Sequence, residues 1–228
     1  ETNSIKWIYN SGAWIRSSPA IVDEKVYFAN YNSDVFCLEM ETGKFVWKTN
    51  IGYQWMFSSP AVVDGKVFIG SDSDYIYCLD AYTGEILWEF FTTAVRRADC
   101  SPTVVNNRVY IGSTDDNLYY IDADSRDQIW KYNLGGNVYS SPAVVNDKVY
   151  VGATNGKFYC LDANTKEEIW QKTFFDEIES SPTVVDDKVY IGTNDGFYCC
   201  NANTGGKIWT YDIKNLYHSS PAYYDKKI

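Results

Sequence analysis

The prolines and tryptophans of this 228-residue chain recur at a common interval of about 40 residues. All six prolines belong to one series, and six of the eight tryptophans belong to a second series with the same spacing. The two series are Pro19, Pro60, Pro102, Pro142, Pro182 and Pro221, and Trp7, Trp47, Trp88, Trp130, Trp170 and Trp209. Fixed self-similarity of this length is typical of a repeat architecture. The chain is therefore expected to use one structural unit several times.

Each unit contains four short segments that favour β-strand. In the second unit, Ser-Ser-Pro-Ala-Val-Val is followed by residues 66–70, 75–80 and 85–90, with polar turns between them. The segments are rich in Val, Ile, Tyr, Phe and Trp, and none is long enough for a helix, which excludes an α-solenoid of similar period. Four strands per unit predict a four-stranded antiparallel blade, and hence an all-β fold of the β-propeller class.

The turn before each repeated tryptophan carries a motif. Residues 79–88 read Leu-Asp-Ala-Tyr-Thr-Gly-Glu-Ile-Leu-Trp, and residues 161–170 read Leu-Asp-Ala-Asn-Thr-Lys-Glu-Glu-Ile-Trp. These segments resemble the tryptophan-docking motif, Ala-x-Asp-x-x-Thr-Gly-x-x-x-Trp, of quinoprotein-like (PQQ-like repeat) β-propellers. That family includes pyrroloquinoline-quinone (PQQ) dehydrogenases and assembly lipoproteins of the BamB type. The resemblance implies that the six repeated tryptophans are structural and pack on the neighbouring blade.

Three positions depart from the motif. Arg126 and Lys166 replace the turn glycine, and Asn201 replaces the aspartate. Gly is the residue best suited to a tight reversal. We therefore expect these substitutions to weaken individual turns without changing the register.

The repeat also defines the domain organisation. We predict one domain over residues 1–228, with repeats starting near 17, 58, 100, 140, 180 and 219. Five blades are predicted to be complete. A sixth is split between residues 5–9, predicted as its outer strand, and the segment that starts at Ser219-Ser220-Pro221 and stops inside the second strand, about 14 residues short of a full blade. The favoured interpretation is a fragment of a propeller with six to eight blades. The alternative is a complete chain whose two ends meet in one incomplete blade.

Charge and composition exclude several function classes. The chain has 30 acidic and 20 basic residues, a net charge of −10, which disfavours broad contact with nucleic-acid phosphates or anionic lipid. Its single histidine, His218, excludes a zinc site with several histidines. No apolar run approaches the roughly 20 residues of a membrane helix. We expect neither a nucleic-acid partner nor a membrane span.

Functional residues are expected where the repeats disagree. The position three residues before each proline, at the entry to the innermost strand, holds Arg16, Phe57, Asp99, Tyr139, Glu179 and His218. Two residues earlier, the first three units hold Trp14, Trp55 and Arg97. In propellers this loop lies on the face where ligands usually enter. The uneven ring of side chains predicts recognition of a protein or peptide by a non-enzymatic binding or scaffolding module.

Two alternatives stay open: a PQQ- or sugar-binding quinoprotein-type enzyme domain, and a ligand-sensing domain of a larger receptor or kinase. Quinoprotein enzymes need a calcium or similar ion, a catalytic Asp and aromatic planes around the quinone. Nothing beyond the blade motif matches these requirements. The adjacent Cys199 and Cys200 resemble the cysteine pair of some dehydrogenases, but Cys199 falls on a repeated strand position. We predict no catalytic residue, no metal site and no cofactor. PQQ and calcium stay open as possibilities, but no specific residue supports either.

The cysteines bear on localisation. Cys37, Cys78, Cys160 and Cys199 occupy the same position in their units, where the third unit has Tyr120. They are expected to be buried, free thiols that fill the core. Free thiols favour a reducing compartment or an anaerobic organism, whereas the family resemblance suggests the periplasm or the cell surface. The sequence leaves the localisation open, together with the ligand and the oligomeric state.

Overall fold

The computed structural model describes residues 4–52, 56–71, 73–93, 100–213, 220–223 and 228. Within these residues the chain forms twenty strands and no helix, arranged as five four-stranded antiparallel sheets. Each sheet consists of four consecutive strands, so one sheet corresponds to one repeat. The predicted all-β fold of four-stranded blades is confirmed. No helix in this part of the chain is long and apolar enough to cross a membrane.

The chain divides into two compact units, Glu1–Pro102 and Thr103–Ile228. The strands of the first unit are β1 (Ala20–Val22), β2 (Lys25–Ala29), β3 (Asp34–Glu39), β4 (Phe45–Asn50), β5 (Ala61–Val63), β6 (Lys66–Gly70), β7 (Tyr75–Asp80) and β8 (Ile86–Phe91). The strands of the second unit are β9 (Thr103–Val105), β10 (Arg108–Gly112), β11 (Asn117–Asp122), β12 (Gln128–Asn133), β13 (Ala143–Val145), β14 (Lys148–Gly152), β15 (Lys157–Asp162), β16 (Glu168–Thr173), β17 (Thr183–Val185), β18 (Lys188–Thr193), β19 (Gly196–Asn201) and β20 (Lys207–Tyr211). A single domain over the whole chain stays a prediction.

Two-residue turns join the first and second strands of every sheet. Both residues have positive φ in each turn, at Asp23-Glu24, Asp64-Gly65, Asn106-Asn107, Asn146-Asp147 and Asp186-Asp187. Hairpin turns with this conformation match the right-handed twist of the strands, and Asn, Asp and Gly tolerate it best. The Asp- and Asn-rich dipeptides therefore determine where each hairpin reverses.

The second and third strands of each sheet form the core. In β6 and β7, residues 67–70 and 76–79 are all buried. Neighbouring sheets within a unit pack face to face, and Val35 of the first sheet lies in one cluster with Val67 and Ile69 of the second. A strand that is covered on both faces needs apolar residues at successive positions, which explains the lack of alternation in these runs.

Four of the repeated tryptophans lie across the next sheet. Each indole Nε1–H donates to a backbone carbonyl at 2.8–3.2 Å, in the pairs Trp7–Met40, Trp47–Ala81, Trp130–Ala163 and Trp170–Ala202. Trp88 and Trp209 contact aromatic rings of their own sheets, Phe68 and Tyr190, with centroids 5.9 and 6.0 Å apart. The contacts of the four docked indoles are those that the family motif implies.

An aspartate organises the turn that receives the indole. Asp80 Oδ1 accepts hydrogen bonds from the backbone N–H groups of Tyr82 and Thr83 at 2.9 and 2.8 Å. Asp122 and Asp162 repeat this arrangement. Because the bonds stabilise the charged carboxylate, they lower the pKa of all three aspartates.

The glycine of the same turn has a left-handed backbone conformation. Gly84 has a φ of 76°. Arg126 and Lys166, which stand at the equivalent positions, adopt φ values of 67° and 61°. This region is unfavourable for a residue with a Cβ. The two departures from the motif therefore introduce local strain while the strands on either side keep their pairing.

The split sixth blade is visible only in part. Residues 5–9, predicted as an outer strand, form no strand, because none of the described residues pairs with their backbone. Trp7 and Tyr9 nevertheless pack on the first sheet, against Phe28 and Phe36. Of the strand expected after Pro221, Ala222 and Tyr223 are described and form no strand, and the rest lies outside the described residues.

All six cysteines are buried thiols that form no disulfide. Burial raises the pKa of Cys160 to about 11. Cys199 and Cys200 are successive residues of β19 and therefore face opposite sides of the sheet. Cys199 pairs in register with Trp209, whereas Cys200 lies in a core cluster with Phe158 and Trp170. The adjacent pair thus packs the core on both faces.

Candidate binding surface

The candidate surface lies where the chain enters the innermost strand of each sheet. The first serine of the Ser-Ser-Pro entry is buried in four of the five repeats, at Ser17, Ser58, Ser140 and Ser180. Ser17 Oγ donates to the carbonyl of Ala29 and accepts from its N–H, both at 2.9 Å. Ser180 makes the same two bonds with Gly192. Each pair of hydrogen bonds anchors the entry loop to the end of the second strand. The residue before the serine, Arg16 or Glu179, is thereby held at the edge of the sheet.

The second serine of the entry connects consecutive sheets. The backbone N–H of this serine donates to the hydroxyl of the equivalent serine in the next repeat. The pairs, donor first, are Ser18–Ser59, Ser59–Ser101, Ser141–Ser181 and Ser181–Ser220, at 2.8–3.2 Å. The Ser-Ser-Pro repeat thus provides one hydroxyl for its own sheet and one for its neighbour. The entry residues are carried by a hydrogen-bonded scaffold rather than by free loops.

Where the chain enters the first and second sheets, four side chains lie together: Trp14, Arg16, Tyr31 and Phe57. We call them the aromatic–arginine cluster. The ring centroids of Trp14 and Tyr31 are 5.8 Å apart, and those of Tyr31 and Phe57 are 5.9 Å apart. The guanidinium carbon of Arg16 lies 5.7 Å from the Tyr31 ring and 5.2 Å from the Phe57 ring. Trp14 is 71% exposed, so the cluster presents an aromatic surface to solvent.

A buried asparagine holds the cluster in place. Asn30 is fully buried, and its Nδ2 donates to the Ser11 carbonyl at 2.9 Å. Its Oδ1 accepts from two backbone N–H groups of the following turn. The Tyr31 N–H donates to the Trp14 carbonyl at 2.7 Å, which joins the turn to the entry loop. The aromatic surface is therefore held by hydrogen bonds within the chain itself.

Tyr31 was missed by sequence reasoning, which compared only the entry positions of the repeats. Tyr31 lies in the turn between β2 and β3, and the equivalent turn positions hold Asp72, Thr114, Thr154 and Asn194. An aromatic residue in a column of small polar residues is a detectable break in the repeat. That break was the available signal.

The other predicted entry residues are not gathered into this cluster. Tyr139 and Glu179 are half-buried and lie at the entries of the fourth and fifth sheets. Each follows a buried apolar residue, Val138 or Ile178, whose N–H donates to a turn of the preceding sheet. Four further predicted residues lie outside the described part of the chain: Trp55, Arg97, Asp99 and His218.

The described surface is built from aromatic rings and a guanidinium group. Across the described ranges, no group of three or more His, Cys, Asp and Glu side chains is placed to share a metal ion. The rings of the cluster meet at 50° and 81°. They therefore do not form the parallel planes that would hold a flat quinone between them.

Sheets built from Ser-Ser-Pro entries and tryptophan-docking turns define a PQQ-like repeat β-propeller. The sequence matches the family described as outer membrane protein assembly factor BamB over residues 1–88, 32–136 and 118–228. The chain belongs to this family, as its motif predicted. No curated protein matches it.

Solved structures share the fold. BamB from Moraxella catarrhalis has a TM-score of 0.80 and 21% identity, and the match covers 92% of this chain and 66% of that one. The computationally designed Ika8 protein has a TM-score of 0.80 and 14% identity, covering 92% and 65%. Quinohemoprotein alcohol dehydrogenase from Comamonas testosteroni has a TM-score of 0.78 and 16% identity, covering 89% and 43%. The chain spans about two thirds or less of the length of these structures.

Proposed function

We propose that this chain is a non-enzymatic binding or scaffolding propeller that recognises a protein or peptide through its entry loops. The aromatic–arginine cluster is the observation that carries the proposal. Trp, Tyr and Arg are the residue types most often responsible for binding energy at protein interfaces. Trp14 is largely exposed, while Arg16 lies over two rings and keeps guanidinium donors available for a partner.

Pre-organisation supports a binding role. Ordering a loop at the moment of binding weakens an interaction, and here the loop is already fixed by Asn30 and by the Tyr31–Trp14 backbone bond. The name of the related assembly factor also describes a protein that acts on other proteins. Both considerations favour a polypeptide partner over a reacting small molecule.

The first test measures peptide binding directly. A random peptide library is selected against the chain, and the affinities of the enriched peptides are measured for the wild type and for Trp14→Ala. Removal of a largely exposed aromatic anchor should weaken binding at least about tenfold, because anchors of this kind contribute 1–2 kcal/mol or more. Thermal unfolding should be nearly unchanged, since Trp14 buries little surface.

A matched control is available at the other end of the strands. Tyr82 is also exposed, at 63%, but it lies in the docking turn between β7 and β8, away from the entry loops. Tyr82→Ala should leave peptide affinity unchanged. The proposal fails if no peptide is enriched, or if Trp14→Ala binds the enriched peptides as tightly as the wild type.

The quinoprotein-type enzyme is the competing interpretation. Equilibrium dialysis with PQQ and calcium separates the two functions, because a quinoprotein takes up the quinone in a metal-dependent manner. Metal-dependent uptake of PQQ by the wild type would overturn the proposal. Absence of uptake, together with peptide binding, would support it.

A further inference from the structure

The third sheet breaks the repeat at two neighbouring positions. Its second strand begins with Arg108, where the other four sheets have lysine, and its third strand carries Tyr120, where they have cysteine. Tyr120 stacks on Tyr110 with ring centroids 4.6 Å apart, and the Arg108 guanidinium lies 6.0 Å from the Tyr120 centroid. Arg108 also pairs with Asp122 of its own sheet. Both substitutions therefore draw the basic side chain back into the third sheet.

The fourth sheet shows the ordinary arrangement. Lys148 reaches across to the next sheet and donates to Asn203 Oδ1. The hydroxyl of Tyr150 donates to the Ala202 carbonyl at 3.1 Å, and Trp170 donates to the same carbonyl at 3.0 Å. These bonds leave a cleft of about 310 Å³ between the fourth and fifth sheets.

The corresponding cleft between the third and fourth sheets is larger, about 490 Å³. We call it the asparagine-rimmed cleft, because Asn106, Asn146 and Asn164 lie on its edge. The Tyr110 ring stacks on Tyr120, and within the described chain the Ala163 carbonyl accepts only the Trp130 indole. One lone pair of a carbonyl in the cleft lining is therefore left for another donor.

The lining specifies the chemistry of an occupant. Arg108 is neutralised by Asp122, and Asp147 adds a negative charge at the rim, so an anion is disfavoured. The asparagine amides both donate and accept, whereas the Ala163 carbonyl only accepts. Hydroxyl groups satisfy such a mixed set because each can donate and accept. The volume lies within the range of small-molecule sites.

We propose that the asparagine-rimmed cleft binds a neutral, hydroxyl-rich small molecule of monosaccharide size. The site lies at the end of the strands opposite the entry loops and is independent of peptide recognition there. From the fourth sheet, Ala163 contributes its carbonyl as an acceptor and Asn164 contributes its side-chain amide. From the third sheet, Arg108 contributes guanidinium donors. The cleft beside Arg108 is thus larger than the one that Lys148 crosses between the fourth and fifth sheets.

Saturation-transfer NMR with glucose, galactose, mannose and N-acetylglucosamine tests the proposal. At least one of these sugars should show transfer from the chain at concentrations up to about 20 mM, a range that detects even millimolar affinity. Asn164→Ala should weaken that binding at least about fivefold, the change expected for one lost hydrogen bond. The double variant R108K/Y120C restores the repeat's own residues and should abolish the transfer.

Asn203→Ala is the matched control, since Asn203 occupies the same turn position in the next sheet. It should leave sugar binding within about twofold of the wild type, a change close to measurement error. Thermal unfolding of each variant checks that the fold is retained. The proposal is wrong if none of the four sugars binds, or if Asn203→Ala weakens binding as much as Asn164→Ala.

Discussion

Small residues decide where the docked tryptophans can lie. A Cβ placed on Gly43, Gly84 or Gly205 would stand 2.5–2.7 Å from the nearest indole atom. Opposite Trp130 the equivalent residue is Lys166, and the indole-to-carbonyl distance there, 3.2 Å, is the longest of the four. The turn glycine thus serves two purposes: it permits positive φ and it leaves room for the ring.

Replacing one such glycine should separate the two effects. Gly84→Ala is expected to destabilise the chain by about 2–3 kcal/mol, because backbone strain and overpacking against Trp47 act together. Gly12 has a similar φ of 78° but nothing within 4 Å of an added Cβ. Gly12→Ala should therefore cost only about 1 kcal/mol, the strain alone. Urea unfolding, monitored by tryptophan fluorescence, measures the free energy of unfolding of both variants. Equal decreases for the two variants would contradict the steric argument.

Among the structural elements, the entry loops connect the sheets. Each short innermost strand has only three residues. Such a strand makes few ladder bonds, so the serine hydroxyls add contacts that the strand itself cannot supply. The side-chain bond of Thr103 to the Pro142 carbonyl, at 2.6 Å, adds a further link in the second unit. Within each compact unit, the entries of neighbouring innermost strands are thus joined through side chains.

Removal of one serine hydroxyl tests this role. Ser181→Ala removes the acceptor for the Ser141 N–H and should lower the free energy of unfolding by about 1 kcal/mol, the usual net value of one hydrogen bond. Ser125→Ala is a suitable control, because that hydroxyl bonds to a carboxylate on an exposed turn and should change stability by less than about 0.5 kcal/mol. Indistinguishable denaturation midpoints for the two variants would show that the inter-sheet bond contributes nothing measurable.

For the molecule as a whole, the repeated docking turn links stability to pH. The pKa values of Asp80, Asp122 and Asp162 are lowered in the folded chain by backbone hydrogen bonds. A lowered carboxyl pKa contributes stability above the unfolded value of about 3.9, and this contribution is lost as pH falls through the folded pKa. The fifth sheet has Asn201, which accepts the same backbone bonds at 2.9 and 3.0 Å without a titrating group.

The chain should therefore lose stability as pH falls below about 4. Exchanging Asp and Asn at this turn position tests the origin of the loss. Asp162→Asn should reduce the drop in melting temperature between neutral and acidic pH, and Asn201→Asp should increase it. Calorimetry across this range provides the measurement. An identical pH profile for wild type and both variants would mean that the acid sensitivity has another source.

Much of the fold follows from the sequence. The spacing of proline and tryptophan specifies the length of a unit, and the Asp-, Asn- and Gly-containing turns specify where each strand ends. Both are local properties, repeated in every unit, so the four-stranded sheet and the family could be recognised without coordinates. Residues 5–9 were predicted as a strand by the same logic and form none, because strand formation needs a partner that periodicity does not supply.

The sequence by itself determined the blade, its repetition and the entry loops as the place to look for function. The tertiary structure decided which side chains meet there. Tyr31 joins Trp14 and Phe57 because a turn of one sheet lies beside the entry loops, a contact that no spacing encodes. The asparagine-rimmed cleft likewise depends on how Arg108 is drawn towards Tyr120 across two strands. Contacts between loops depend on packing between sheets, whereas strands and turns are specified by their own residues.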